Sequence, residues 1–261
     1  MSEHIHPIID AHIHMDQYTS TEQARMIQDC EKWQVEAFIA VSNDLHSAQE
    51  TLLLAGKYPQ MKPACGFHPE QALPAQEEIN QLLAYIDTHH EEFIAIGEVG
   101  LPYYSKQKNP SLEVEPYITL LEQMIIRAAH YHKPIVLHAI YEDASIVCDL
   151  LEKHHVTQAH FHWFKGDEPT IQRMIHNGYY ISMTPDVLYE EKIRKLVETY
   201  PIDNIMVETD GPWPFENIFK GKMTHPWMCH QSIREIAAIK NLPVQNVYER
   251  VLQATKGFYR L

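Results

Sequence analysis

Glycine is scarce in this chain, 9 in 261 residues, and no Gly-rich phosphate loop follows the first apolar run. That absence removes the fingerprint of a nicotinamide or flavin enzyme and weakens the case for an open doubly wound sheet. No G-x-S-x-G elbow is present, and Ser182, the serine of a strand-like run, is not followed by one, so a serine hydrolase has no support. The 4 cysteines, Cys30, Cys65, Cys148 and Cys229, lie far apart without a C-x-x-C pair. Neither a zinc ribbon nor a disulfide framework is indicated, and a reducing, cytoplasmic compartment fits best. No apolar stretch approaches the roughly 18 residues of a membrane span, and Met1–Pro7 carries Glu and two His where a signal peptide has basic and then apolar residues. No membrane partner is expected. Positive charge is also short: 21 Lys and Arg face 35 Asp and Glu, a net charge of -14. An extended nucleic-acid surface is therefore not expected, and any phosphate recognition has to be local, with a bound metal as one source of positive charge.

What the chain does have is histidine, 18 of them, in a composition that is 45% hydrophobic and 21% charged and so supports a sizeable core. A length of 261 suits two small domains or one large α/β barrel. No linker or low-complexity tract marks a boundary, so a single domain over residues 1–261 is expected. Short β-branched or apolar runs recur at Pro7–Ile9, Ala37–Val41, Lys62–Cys65, Phe93–Ile96, Pro134–Leu137, Gln158–Phe161, Tyr179–Met183 and Asn204–Val207. Longer segments of helical spacing lie between them. In the clearest, Tyr117, Leu120, Leu121, Met124, Ile125 and Ala128 form one apolar stripe. The alternation predicts an α/β fold of the (β/α)8 barrel type, with a last helix from about Pro243 to Tyr259.

The first strand-like segment reads Ile8-Ile9-Asp10-Ala11-His12-Ile13-His14. Residues two apart in a strand share a face, so Asp10, His12 and His14 point one way and Ile9, Ala11 and Ile13 the other. Three polar groups turned into a barrel are costly without a partner, and a metal ion offsets that cost by taking imidazole nitrogens directly. A pair of surface histidines on a frayed strand is the alternative. Other candidates fall at downstream strand ends, where barrel active sites are built. They are His68 in Gly66-Phe67-His68-Pro69, Glu98 in Gly97-Glu98-Val99-Gly100, His138 after Leu137, His162 in His160-Phe161-His162, and Asp210 in Glu208-Thr209-Asp210-Gly211-Pro212. A lone histidine at a strand end is more often a hydrogen-bonded core residue than a ligand; the shared position of these groups is what singles them out. Four imidazoles and two carboxylates exceed one tetrahedral zinc site and suit two divalent ions sharing a carboxylate. Zn, Mn, Mg, Ni and Co are all candidates, and imidazole-rich ligation disfavours Mg.

In this order, D-x-H-x-H, G-x-H-P, G-E-[IV]-G-L, K-P-[IV]-x-x-H and E-T-D-x-P resemble the motifs of TatD-like metal-dependent hydrolases, from Asp10 to about Tyr259. The resemblance implies a (β/α)8 barrel of the amidohydrolase-like class and a metal-dependent deoxyribonuclease activity. It also implies that His12, His14 and Asp210 bind one metal, that His138 and His162 bind a second, and that Glu98 bridges the two. The chain departs from the family around the substrate. Leu101 is followed by Pro102 instead of Asp, Ala139 and Ile140 replace a small residue and an Arg after His138, and Trp163-Phe164-Lys165-Gly166 replaces Cys-Phe-Ser-Gly. The late loop is Lys220-Gly221-Lys222-Met223-Thr224-His225-Pro226 in place of an Arg-rich one.

The expected reaction is hydrolysis of a phosphodiester by a hydroxide on the metal, with Asp210 as general base and Glu98 holding the ions. The substrate would be a small molecule or a DNA end. His68, Lys165 and Lys222 are the expected substrate contacts. Asp10 and Glu208 either orient ligands or are structural buried acids. Trp163, Trp213 and Trp227 stack on a base, line an apolar pocket or simply pack. A carboxylic ester, lactone or amide is the alternative substrate class, and a metal-binding scaffold with little turnover is a third reading.

Overall fold

The computed structural model describes residues 6–261; Met1–Ile5, and with them most of the segment compared with a signal peptide, lie outside the described residues. Strands and helices alternate along the chain as β1 (Ile8–Ile13), α1 (Ser20–Asp29), β2 (Val35–Ala40), α2 (Leu45–Lys57), β3 (Met61–Cys65), α3 (Gln76–His89), β4 (Ala95–Gly100), α4 (Tyr103–Lys108), α5 (Glu115–His130), β5 (Ile135–His138), α6 (Glu142–Lys153), β6 (Ala159–Phe161), α7 (Glu168–His176), β7 (Tyr180–Met183), α8 (Glu191–Thr199), β8 (Ile205–Val207), α9 (Cys229–Lys240) and α10 (Val244–Tyr259). The eight strands follow one another in sheet order as they do in sequence, β1 to β8, which is the (β/α)8 plan.

By its contacts the chain forms two compact units, residues 1–40, 54–62 and 181–261 in the first and residues 41–53 and 63–180 in the second. In the first, β1 runs parallel to β2, β7 to β8, and Ile13 bridges Gly211 just beyond β8. In the second, β3, β4, β5 and β6 pair in parallel, Val99 beside Leu137 and Gly100 beside His138. Every residue of β1 and of β4 is buried. For β1 the two-residue alternation of polar and apolar positions therefore separates two covered faces, as expected for strands of a parallel sheet flanked by helices. The apolar stripe of α5 is buried throughout: Tyr117, Leu120, Leu121, Met124, Ile125 and Ala128 all face inward.

Boundaries differ from the sequence reading where special residues intervene. β4 runs from Ala95 to Gly100, where the apolar run is Phe93–Ile96, and Glu98 lies in its downstream half. The last helix starts at Val244, because Pro243 takes an extended backbone as its cap, at φ -56° and ψ 132°. A short helix, α4, interrupts the connection from β4 to α5. Among the described residues no helix is long and apolar enough to cross a membrane.

Candidate metal centre

In the first unit, β1 delivers His12, its end delivers His14, and the turn after β8 delivers Asp210. Backbone bonds fix these segments side by side: the Asp210 N–H donates to the His12 carbonyl at 2.9 Å and the His14 N–H to the Gly211 carbonyl at 2.8 Å. Asp210 adopts a left-handed conformation at φ 47°, which Asp tolerates better than most residues and which re-aims its side chain at the end of the strand. Its Oδ1 lies 3.4 Å from His12 Nε2 and 3.5 Å from His14 Nε2. Those separations are long for hydrogen bonds. They match the edge of a tetrahedron with metal bonds near 2.0–2.1 Å, which is about 3.4 Å. Donor chemistry and spacing therefore fit a divalent ion of borderline softness.

Around this set stand the two acids expected beside it. Asp10 is fully buried and accepts the Thr209 N–H at 2.9 Å and the Thr209 hydroxyl at 2.5 Å. Burial pushes its carboxyl up to about 7 against the pull of those bonds. Asp10 thus ties β1 to the segment that carries Asp210. Glu208, also fully buried, accepts the Ser182 hydroxyl at 2.5 Å and links β8 to β7.

In the second unit, β4 supplies Glu98, β5 ends on His138 and His162 follows β6. Glu98 Oε1 lies 2.9 Å from His138 Nδ1 and 2.6 Å from His162 Nε2. The two ring nitrogens are 3.2 Å apart. At 2.6 and 2.9 Å these are hydrogen-bond distances, shorter than the edge of a tetrahedral metal site, and they bring together the donor types, two imidazole nitrogens and a carboxylate oxygen, that could hold an ion. Burial by itself would lower the His138 pKa, but the neighbouring carboxylates of Glu70 and Glu98 outweigh it and raise it. Protons would therefore compete with a metal at this position.

His68 stands 3.7 Å from Glu98 Oε1 through Nε2. Its Nδ1 accepts the Glu70 N–H at 3.2 Å, so a neutral ring carries its proton on Nε2 and acts as a donor at the site. Lys165 lies over the Trp163 ring, 4.6 Å from its centroid, and Lys222 over Trp227 at 5.6 Å. Trp227 also packs against Trp33 and Phe219, whereas Trp213 is 56% exposed. Ala139 and Ile140, in place of the arginine-bearing pair, are both buried. Trp163 itself has φ 38°, a strained conformation for a bulky residue immediately after His162.

Glu70 is the site residue that sequence reasoning missed. It accepts the backbone N–H groups of Tyr104 at 2.7 Å and Ser105 at 2.6 Å, and its Oε1 lies 3.4 Å from His138 Nε2. Burial opposes its ionisation, yet these donors hold its carboxyl down at about 2. The available signal was its position two residues after His68 in His68-Pro69-Glu70.

Two carboxylate–imidazole clusters at the downstream ends of strands of a (β/α)8 chain define a class, the metal-dependent hydrolase barrels. Comparison with known proteins narrows it. A family model described as TatD related DNase matches residues 9–260. A Haemophilus influenzae protein named as an uncharacterized metal-dependent hydrolase is 38% identical over 255 residues, covering 97% of this chain and 100% of that protein. The human protein named deoxyribonuclease TATDN3 is 24% identical over 266 residues, covering 97% of this chain and 95% of its own. Among solved structures, the TatD homologue YjjV of Escherichia coli K12 superposes with a TM-score of 0.86 at 21% identity, over 97% of this chain and 98% of that one, and establishes the barrel fold. The chain belongs to the TatD related DNase family, and as a member of it is a metal-dependent hydrolase.

Proposed function

We propose that the chain is a dinuclear hydrolase of phosphodiester bonds, of deoxyribonuclease type, acting on DNA ends or small phosphodiesters. One divalent ion is assigned to His12, His14 and Asp210 and a second to Glu98, His138 and His162. The observation that carries this reading is the duplication: each unit contains its own carboxylate with two imidazole nitrogens gathered on a single oxygen, at 3.4 and 3.5 Å in one and 2.6 and 2.9 Å in the other. Divalent ions so bound would supply Lewis-acid polarisation of the ester and a water whose pKa falls from 15.7 toward about 7.

The chain's own groups do the rest. Asp210 presents Oδ1 to His12 and His14, and its carboxylate accepts the proton of the attacking water as general base. His68, with its proton held on Nε2, donates to negative charge developing on a phosphoryl or leaving-group oxygen. Lys165 and Lys222 supply local positive charge, each against a tryptophan face that offers a base a stacking surface. With a net charge of -14 the attraction of phosphate has to be local. The name of the human relative supports DNA as substrate.

One observation favours a carboxylic ester, lactone or amide instead. Buried Ala139 and Ile140 leave no cation at the position where the family pattern has an arginine. The test is turnover by metal-loaded protein on 5'-labelled single-stranded DNA, bis-p-nitrophenyl phosphate and a panel of esters and lactones. Phosphodiester cleavage abolished by chelation is expected. Turnover confined to the carbonyl substrates would overturn the nuclease reading, and no turnover with any of Zn, Mn, Mg, Ni or Co would leave a binding scaffold.

A further inference from the structure

Position 70 carries a carboxylate that makes three contacts from one place. Oε1 accepts the Tyr104 N–H and faces His138 Nε2, while Oε2 accepts the Ser105 N–H. An ionised carboxylate is an acceptor only, so a neutral His138 meets it by carrying its proton on Nε2. The Nδ1 lone pair is then turned toward Glu98 and His162, at 2.9 and 3.2 Å. Glu98 Oε1 makes the same demand on Nδ1, so the preference is set where an ion takes the Nδ1 lone pair: Nε2 is then the nitrogen left to carry the proton toward Glu70. The side chain of Glu70 is largely buried, at 13% exposure, so water screens this preference little. Its other two bonds anchor it to the first turn of α4, and Tyr104 of that turn stands with its ring 6.4 Å from the His138 ring.

We propose that Glu70 is a positioning residue: it fixes the tautomer and orientation of His138 so that Nδ1 is the metal-binding nitrogen, and it locks α4 beside that ligand. The inference rests on the reading of Glu98, His138 and His162 as a metal site. Partners of this kind orient a ligating imidazole and raise its basicity, and their loss typically lowers metal affinity about 10–100-fold.

The test uses the full chain and three variants: Glu70→Gln and Glu70→Ala, together with Ser105→Pro, which deletes one donor from α4 and leaves the carboxylate facing His138. Cobalt(II) titration followed by visible absorption reads the two ion sites, and the imidazole N–H resonances of the zinc-loaded protein read the tautomer. Wild type is expected to show His138 ligated through Nδ1 with a slowly exchanging Nε2–H. Both Glu70 variants should lose about 10–100-fold in affinity at one site only, together with that slow exchange, and Ser105→Pro, which removes one of the bonds that hold the carboxylate, should show a smaller loss of both. His138 ligating through Nε2, or wild-type affinity and exchange in Glu70→Ala, would overturn the inference and leave the metal reading standing. Wild-type protein that takes up no ion at Glu98, His138 and His162 would sink both.

Discussion

At the scale of single residues, the two histidine-carboxylate groups are asymmetric in what surrounds the carboxylate. Asp210 sits on a turn with part of its side chain accessible, 12%, whereas Glu98 is fully buried in β4. A proton acceptor has to exchange with solvent and a structural ligand need not, which supports the proposed role of Asp210 as the base. Asp210→Asn is expected to cut kcat by about 10²–10⁴-fold while most of the metal stays bound. Steady-state kinetics with metal analysis on the same sample checks this, and near wild-type kcat would remove Asp210 from the mechanism. A second residue-scale expectation concerns stability. Burial lowers the His225 pKa to about 4 against an unfolded value near 6.5, with Asp29, 3.5 Å away, pulling the other way. The unfolded chain then binds more protons between pH 6.5 and 4. Stability from this group is full above pH 6.5 and declines as the pH falls through that window, by no more than about 3 kcal/mol. His225→Gln should flatten the slope of unfolding free energy against pH between 6.5 and 4; an unchanged slope would show that another group carries it. The ligand candidates were legible because a strand places Asp10, His12 and His14 two apart and because strand ends are recognisable in a sequence. Glu70 was not, since its partners come from α4 and the end of β5, and no spacing rule joins them.

At the scale of elements, the scarcity of glycine acquires a meaning. Some of the nine stand where a side chain has no room: one at Gly100 would run into the His138 carbonyl, and one at Gly211 into the Tyr18 hydroxyl. Gly100 pairs with His138 across β4 and β5, so Gly100→Ala pushes the end of β5 away from Glu98. The expected result is a protein destabilised by about 1–3 kcal/mol whose metal affinity falls along with its stability. A chemical denaturation curve and a metal titration on that variant decide it; a change in neither would mean that the strands separate without cost. Alternating apolar runs were enough to expect eight strands, and the α5 stripe its buried face, because tertiary burial follows the 3.6-residue period directly. The helix α4 escaped notice for the converse reason. Its 6 residues, Tyr-Tyr-Ser-Lys-Gln-Lys, contain no buried position, and it is anchored by a carboxylate from elsewhere in the chain.

At the scale of the whole molecule, an acidic chain has to hold its cations through chosen ligands and not through a diffuse field. The net charge of -14 opposes a polyanionic substrate except where metal and the loop lysines act together. The family, the strand order and the two candidate ligand groups point the same way, and the substrate is the feature that the departures at Pro102, Ala139 and Ile140 bear on. The claim on which the rest depends is that two separate ligand groups each take an ion. It is tested most directly by counting divalent metal per chain, by elemental analysis of protein reconstituted and then freed of loose ions. Close to two ions per wild-type chain are expected, falling to about one in His12→Ala/His14→Ala and to about one in His138→Ala/His162→Ala. A wild-type content of one or fewer, or a single pair of substitutions that removes all the metal, would contradict it.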